Sequence, residues 1–226
     1  MGRHNFLSIR DFSPEEIQYL LDLAREMKAY PSAHAGALKG KTLAMIFEKP
    51  SLRTRVSFDV GIQQLGGFSL YLSNAEINLG KRESDYDVAK NLERMVQAIM
   101  IRTYAHEVVE QMAEYASIPI INGLTDFSHP CQAMADYLTM LELKDDVRGL
   151  KIAFVGDGNN VGITPDVLPD VLMSSLSAKR CQAASARSLR SWRQRKFWVF
   201  FIPEIMGARL AATRSLARWH ARRCVS

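Results

Sequence analysis

Ser51, Leu52, Arg53, Thr54 and Arg55 place two hydroxyls and two guanidiniums within five consecutive positions. They follow the apolar run Leu43-Ala44-Met45-Ile46, a buried strand, and precede Val56 to Leu65, a helix closed by Gly66-Gly67. Ser51 stands where a helix N-cap belongs. Two arginines in a first helical turn oppose the helix dipole, whose N-terminal end is already positive. An external anion reverses that penalty, and hydroxyls, guanidiniums and unpaired N–H groups at one point suit a phosphate. Without an anion the same stretch is a solvated basic turn.

Four more polar residues fall just past strand-like runs: Arg102, His129, Gln132 and Asn160. In an open parallel sheet, ligands bind beyond the carboxyl ends of the strands. Each residue also has a plain structural use. Arg102 suits a surface position, His129 a cap for the helix that Pro130 starts, Gln132 a solvated turn and Asn160 a left-handed turn. Their gathering at one edge with Ser51, Arg53, Thr54 and Arg55 is a stronger indication than any one of them. Cys131 suits a small core position. Gly156-x-Gly158 lacks a third glycine, with Val161 in its place, and makes no dinucleotide fingerprint.

The positioning elements alternate. Phe12-Ser13-Pro14-Glu15-Glu16 opens a helix with a capping box and proline at its first position, and Ile17, Leu20, Leu21 and Ala24 give it an apolar face. Tyr30 to Gly40 is predicted as loop. Phe68 to Leu72 is a second strand, and Ser73 to Arg82 a polar loop. Ser84 opens a helix with Val88, Leu92 and Met95 on one face. Ala98 to Ile101 is a third strand, Val108 to Ala116 a helix, Pro119 to Asn122 a fourth strand and Pro130 to Leu143 a helix. Lys151 to Val155 is a fifth strand after a polar break. Short apolar strands between helices predict an α/β fold, a parallel sheet with helices on both faces. The expected division is a first domain over 1–149 and the start of an incomplete second α/β domain over 150–226.

The chain has 226 residues, 47% of them apolar and 23% charged, and a net charge of +5. The balance is uneven. Residues 1–173 hold 17 basic and 23 acidic side chains, whereas residues 174–226 hold 12 and 1. The basic character belongs to the last quarter, which is rich in Ser, Ala, Arg and Trp. No apolar run approaches the ~20 residues of a membrane span. Cys131, Cys181 and Cys224 have neither disulfide-framework nor zinc spacing. With no secretory apolar core after Met1, these features point to the cytosol.

Three motifs in order carry a resemblance over roughly residues 3–161. They are Phe47-Glu48-Lys49-Pro50-Ser51-Leu52-Arg53-Thr54-Arg55, then Asn122-Gly123-Leu124-Thr125-Asp126 leading into His129-Pro130-Cys131-Gln132, then Gly156-Asp157-Gly158-Asn159-Asn160. The chain resembles the aspartate/ornithine carbamoyltransferase superfamily, and within it the ornithine carbamoyltransferases. The resemblance implies transfer of the carbamoyl group of carbamoyl phosphate to the δ-amine of L-ornithine, giving L-citrulline and phosphate in arginine metabolism, without metal or organic cofactor. It implies that Ser51, Leu52 through its backbone, Arg53 and Thr54 hold the phosphate. Arg102 and His129, assisted by Thr54, would hold the carbamoyl oxygen. Gln132 would accept from the carbamoyl NH2, and Asn160 would bind the ornithine backbone. It further implies a homotrimer in which Asn78 reaches into a neighbour's site.

The sequence departs from the family pattern in places. Leu52 stands where many members have threonine, and Asn78 is shorter than the expected glutamine or histidine. Neither the Asp-x-x-x-Ser-Met-Gly nor the His-Cys-Leu-Pro stretch of the ornithine-binding half occurs; Met206-Gly207 and Cys224 lack their contexts. The switch to basic sequence resembles a truncation or frame change, and weak ornithine binding with little turnover is expected. Competing readings are another amine acceptor (putrescine or an acylated ornithine), a non-catalytic subunit, and non-specific nucleic-acid attraction through the tail. No specific nucleic-acid partner is expected.

Overall fold

The computed structural model describes residues 5–80, 82–144, 153–155 and 179–181. The order is α1 (Pro14–Ala29), β1 (Thr42–Phe47), α2 (Leu52–Gln64), β2 (Phe68–Ser73), α3 (Asn74–Ile77), α4 (Asp85–Leu92), β3 (Ala98–Arg102), α5 (His106–Tyr115), β4 (Ile120–Leu124) and α6 (Pro130–Lys144). Two 3-10 turns, Ile9–Asp11 and Pro31–His34, flank α1. β1 to β4 form one parallel sheet in the order β2-β1-β3-β4.

Period-two alternation divides the sheet into two faces. Leu43, Met45, Phe47, Ala98 and Met100 point to one side, where α1, α2 and α6 pack through Ile17, Leu21, Phe58, Ile62, Met134 and Leu138. Ala44, Ile46, Ile99 and Ile101 point to the other, against Val88, Leu92, Val109 and Met112 of α4 and α5. Each large apolar side chain so buried contributes about 1.5–3 kcal/mol. Strands sealed on both faces read as near-continuous apolar runs, which is why the pattern was legible.

Local signals set the boundaries. Ser13 caps α1 by accepting from the Glu16 N–H, while Glu16 accepts from the Ser13 N–H at 2.9 Å. Gly66 ends the α2 region at φ +83°, and a Cβ there would lie 2.6 Å from the Ala35 carbonyl oxygen. The outer edge of β4 is covered by the N-terminal segment: the Phe6 N–H donates to Ile120 and the Asn122 N–H donates to Phe6, each at 2.8 Å.

Several expectations are corrected. The helix after β1 runs over Leu52–Gln64, so it starts directly after the Ser51 cap, as the capping reading has it, and not at Val56. The segment read as loop over Ser73 to Arg82 contains α3, made by a Ser73/Glu76 capping box too short to show periodicity. Tyr30 to Gly40 contains the turn started by Pro31. Met95 does not share the buried face of Val88 and Leu92; α4 ends at Leu92 and Met95 is exposed. Beyond the main sheet, β5 (Ala153–Val155) pairs in parallel with β6 (Lys179–Cys181), a strand that composition hid inside a Ser/Ala/Arg-rich stretch. The proposed division at 149/150, the Gly156 to Asn160 turn and the remaining tail lie outside the described residues.

Candidate active site

The strand order places the site. From β1 the chain moves outward to β2 through α2 on one face; from β3 it moves the other way to β4 through α5 on the opposite face. Connections leaving adjacent strands in opposite directions open a crevice past their carboxyl ends. β1 delivers Glu48 to Ser51 to that crevice, and β3 delivers Arg102 and Thr103. Backbone bonds from Glu48 N–H (2.9 Å) and Lys49 N–H (3.4 Å) to the Arg102 carbonyl hold the two strand ends together.

On the α2 side, the Ser51 hydroxyl donates to Thr54 Oγ1 at 3.0 Å and accepts from the Thr54 N–H at 3.4 Å. Thr54 is buried, while Leu52 and Arg53 stand exposed in the first turn. The first N–H groups of a helix have no partner within it, so this turn presents donors outward. Arg55 does not join them. Its guanidinium lies 3.7 Å from the ring centroid of Tyr71 on β2, a cation–π contact on the flank of the helix. The second guanidinium of the site is Arg102, supplied by β3.

Arg102 is half-buried. Its Nη1 donates over long distances to Thr54 Oγ1 (3.4 Å) and the Gly123 carbonyl (3.5 Å). Its Nε is buried and has no hydrogen-bond partner among the described residues. Burial pulls its pKa down, yet a guanidinium stays protonated. No Asp or Glu pairs with it among the described residues. A buried cation without a counter-ion is costly and calls for an anion.

His129, 5% exposed, precedes α6, and its carbonyl accepts from the N–H groups of Gln132 (3.0 Å) and Ala133 (3.2 Å). Burial, reinforced by Arg102, drops its pKa to about 3. The imidazole is therefore neutral near pH 7, a hydrogen-bond donor rather than a proton source. Gln132 lies half-buried in the first turn of α6, and its Nε2 donates to Asp136 at 2.8 Å. Cys131 is buried, bonds the Asn122 carbonyl through Sγ at 3.4 Å, and has a pKa raised by burial to about 12. That is a core thiol, as its type suggested.

Ser51, Thr54, Arg102 and His129 thus meet, with Gln132 on the adjoining turn and Leu52 and Arg53 at the open end. Asn78 is exposed, in the left-handed region at φ 50°, and ends α3 through its N–H bond to Asn74. No hydrogen bond joins it to the other candidates among the described residues. Asn160 lies outside the described residues. Several supporting residues carried no sequence expectation. Thr103 donates to Glu48, Lys49 pairs with Asp126 at 2.7 Å and lies 4.9 Å from the Tyr104 ring centre, and His106 Nδ1 bonds Thr125 Oγ1 at 3.0 Å. These tie the loops after β1, β3 and β4 to one another. Their signal was position: polar residues directly after a strand's last apolar residue. Among the described residues no group of three His, Cys, Asp or Glu side chains could hold a metal ion, and no helix is long and apolar enough to cross a membrane.

Comparison with known proteins agrees with this fold. The family described as aspartate/ornithine carbamoyltransferase, carbamoyl-P binding domain, matches residues 4–142. An ornithine carbamoyltransferase of Anoxybacillus flavithermus is 56% identical over 159 residues, 70% of this chain and 51% of that protein. One from Thermococcus kodakarensis is 54% identical over 163 residues, 71% of this chain and 52% of that protein. The solved ornithine carbamoyltransferase of Pyrococcus furiosus superimposes with a TM-score of 0.76 at 44% identity, covering 79% of this chain and 58% of that one. The chain spans about half the length of the curated relatives it matches. A parallel sheet of the same architecture, a phosphate-suited turn at its switch point and this sequence identity lead to one conclusion: the chain belongs to the aspartate/ornithine carbamoyltransferase family, through its carbamoyl-phosphate-binding domain.

Proposed function

We propose that this chain binds carbamoyl phosphate in the crevice beyond β1 and β3 and presents it for transfer of the carbamoyl group to the δ-amine of L-ornithine. The observation that carries the reading is Arg102, a half-buried guanidinium whose Nε and one long-bonded Nη1 await an acceptor. The first turn of α2, with Ser51, Leu52 N–H, Arg53 and Thr54, takes the phosphate. Arg102, neutral His129 and Thr54 take the carbamoyl oxygen, and Gln132 Oε1 takes the carbamoyl NH2.

The chemistry follows from those placements. The neutral amine of ornithine attacks the carbamoyl carbon, and negative charge grows on the carbonyl oxygen. As the tetrahedral species collapses, the C–O bond to phosphate breaks and charge passes to the leaving phosphate. The amine proton is lost, giving L-citrulline and inorganic phosphate. Donors fixed at both positions favour the charge-separated state, and one such donor is typically worth ~3 kcal/mol. Neutral His129 donates without adding a second buried charge beside Arg102. No step requires a metal or organic cofactor.

The names of the relatives, ornithine carbamoyltransferases, support ornithine as the acceptor, and Asn160 is the residue of this chain proposed to bind it. The 226 residues hold neither acceptor-side motif described above, so the reading is binding of carbamoyl phosphate with low turnover by these residues alone. Self-association into a homotrimer belongs to the same proposal. Leu52, Val56 and Val60 recur every fourth residue along α2 and are all exposed, while exposed Phe68 and Leu70 of the outer strand β2 lie on the other face of the sheet. An apolar stripe of this kind is suited to another copy of the chain. A cytoplasmic location completes the reading.

Calorimetric titration of the purified chain with fresh carbamoyl phosphate tests it. Saturable binding, displaced by inorganic phosphate and lost in Arg102→Ala, is the expected result. A folded chain that binds neither compound overturns it. A citrulline assay in the same preparation measures turnover, and citrulline at ordinary enzymatic rates overturns the low-turnover part.

A further inference from the structure

A carbamoyl group differs from an acetyl group in one respect that a protein can read: NH2 replaces CH3. Reading it requires an acceptor at that end and donors at the oxygen end. In the site proposed above the acceptor is the amide oxygen of Gln132. A primary amide is nearly symmetric in shape, so its oxygen and nitrogen can exchange places by a half-turn about χ3. Exchanged, Gln132 would present NH2 to NH2 and lose the discrimination. Something must hold the amide in one orientation.

We propose that Asp136 is a positioning residue that fixes the amide of Gln132 with its oxygen toward the carbamoyl nitrogen, and so sets selectivity for carbamoyl over acyl phosphates. The two residues are four apart on α6, on the same face of the helix. Gln132 Nε2 donates to Asp136 Oδ1 at 2.8 Å, a charge-assisted bond that commits the nitrogen end. An ionised carboxylate has only acceptors, so it accepts the NH2 end of an amide and rejects the oxygen end. Asp136 is partly buried, and burial raises its pKa while the bond from Gln132 opposes the rise. Among the described residues it has no Lys or Arg ion pair. An aspartate half-buried in the flank of a helix, with an amide and no cation as its side-chain partner, is explained by holding that amide.

This rests on the carbamoyl-phosphate reading, and the probes separate the two. They are phosphonoacetamide, which carries the amide NH2, and 2-oxopropylphosphonate, in which CH3 replaces it; both resist hydrolysis. Calorimetry with each, and with inorganic phosphate, is run on the full chain and on Asp136→Asn, Gln132→Ala and the double variant. The wild-type chain is expected to prefer the amide over the ketone by about tenfold. Asp136→Asn, which can pair with either end of Gln132, should bring that preference to within about threefold of unity, with phosphate affinity unchanged as the sign of an intact fold. In the Gln132→Ala background, Asp136→Asn should change nothing further, because its effect passes through Gln132. A preference that survives Asp136→Asn, or one that Asp136→Asn still alters without Gln132, overturns the positioning role. Loss of phosphate affinity in Asp136→Asn makes the residue merely structural and equally overturns it. Absence of phosphonate binding by the wild-type chain overturns the carbamoyl-phosphate reading itself.

Discussion

The two cationic ends of the crevice are built on opposite physical terms. The α2 end is open: Arg53 stands in water at a helix N-terminus, next to a leucine that is 79% exposed. The β3–β4 end is closed: Arg102 is half-buried against Thr54 and the Gly123 carbonyl, and His129 is almost wholly enclosed. In water an ion pair is screened and worth at most about 1 kcal/mol, whereas behind protein walls the same charge acts several-fold more strongly. The open end therefore suits capture of a phosphate dianion. The closed end suits holding the carbamoyl oxygen and the charge that grows on it during reaction, where field strength matters more than encounter. Close approach of the strands maintains the closed end. Gly123 on β4 has no room for a Cβ, which would collide with Met100 Sδ and lie 3.2 Å from the Ile101 carbonyl oxygen.

The largest effect is expected at Arg102, and its two consequences have opposite signs. Arg102→Met should weaken carbamoyl phosphate binding about 100-fold, because a half-buried, charge-assisted donor to the ligand is lost. The empty protein should become no less stable, because an unpaired half-buried charge gives way to an apolar side chain of similar length. Calorimetry and urea denaturation measure the two. If stability falls by more than about 1 kcal/mol, Arg102 has a structural partner and the contrast between the ends weakens.

His129 comes next. Its folded-state pKa of about 3 lies below the unfolded value of 6.5, so the unfolded chain binds more protons in between. The stability it permits is complete above about pH 6.5 and declines as pH falls toward 3. Between pH 6.5 and 5 the loss from this one group is about 2 kcal/mol. His129→Gln, which cannot be protonated, should flatten that decline by a similar amount. Urea midpoints at the two pH values, compared between the wild-type chain and the variant, isolate the contribution. Equal slopes would show that the imidazole reaches solvent.

How much of this was legible follows the same division. The strands were readable because burial on both faces leaves apolar runs, and α1 because its cap, proline and capping box coincide. Ser51 was readable as a cap, since N-capping is a local geometry. Arg55 was misjudged for the same reason: sequence shows which turn an arginine occupies, not that Tyr71 on the neighbouring strand will take it. The strand order was not readable, because nothing in β3 says that it lies beside β1 rather than β2. Arg102 was a candidate from its place past the third strand; what stayed hidden is that this strand end lies against the first turn of α2, where Thr54 Oγ1 accepts from Arg102 Nη1. Thr103 and Asp136 went unnoticed, and Asp126 was read only as part of a motif, because their partners lie on other loops or, for Asp136, because a single i,i+4 pair is ordinary on any helix.

Arg53 tests the open end. Arg53→Ala should reduce carbamoyl phosphate affinity about tenfold at low ionic strength, and the deficit should shrink to within about threefold at 0.5 M salt, where exposed charges are screened. Arg102→Met should keep its deficit at both salt concentrations. Parallel salt dependence of the two variants would remove the distinction between capture and stabilisation.

The smallest effect is expected at Leu52, and it decides what the first turn of α2 contributes. The side chain is exposed and buries nothing against the core, so replacing it should leave the stability of the single chain within about 0.5 kcal/mol. If the turn holds phosphate chiefly through its backbone N–H groups and Arg53, a hydroxyl at this position adds a single exposed hydrogen bond that competes with water. Leu52→Thr should then tighten carbamoyl phosphate binding by no more than about threefold in calorimetry. A gain of 30-fold or more would mean that the hydroxyl is a principal phosphate ligand and that the turn as it stands is missing one. The open end would then be short of a ligand as well as exposed, and a salt titration of the Leu52→Thr variant would separate the two contributions.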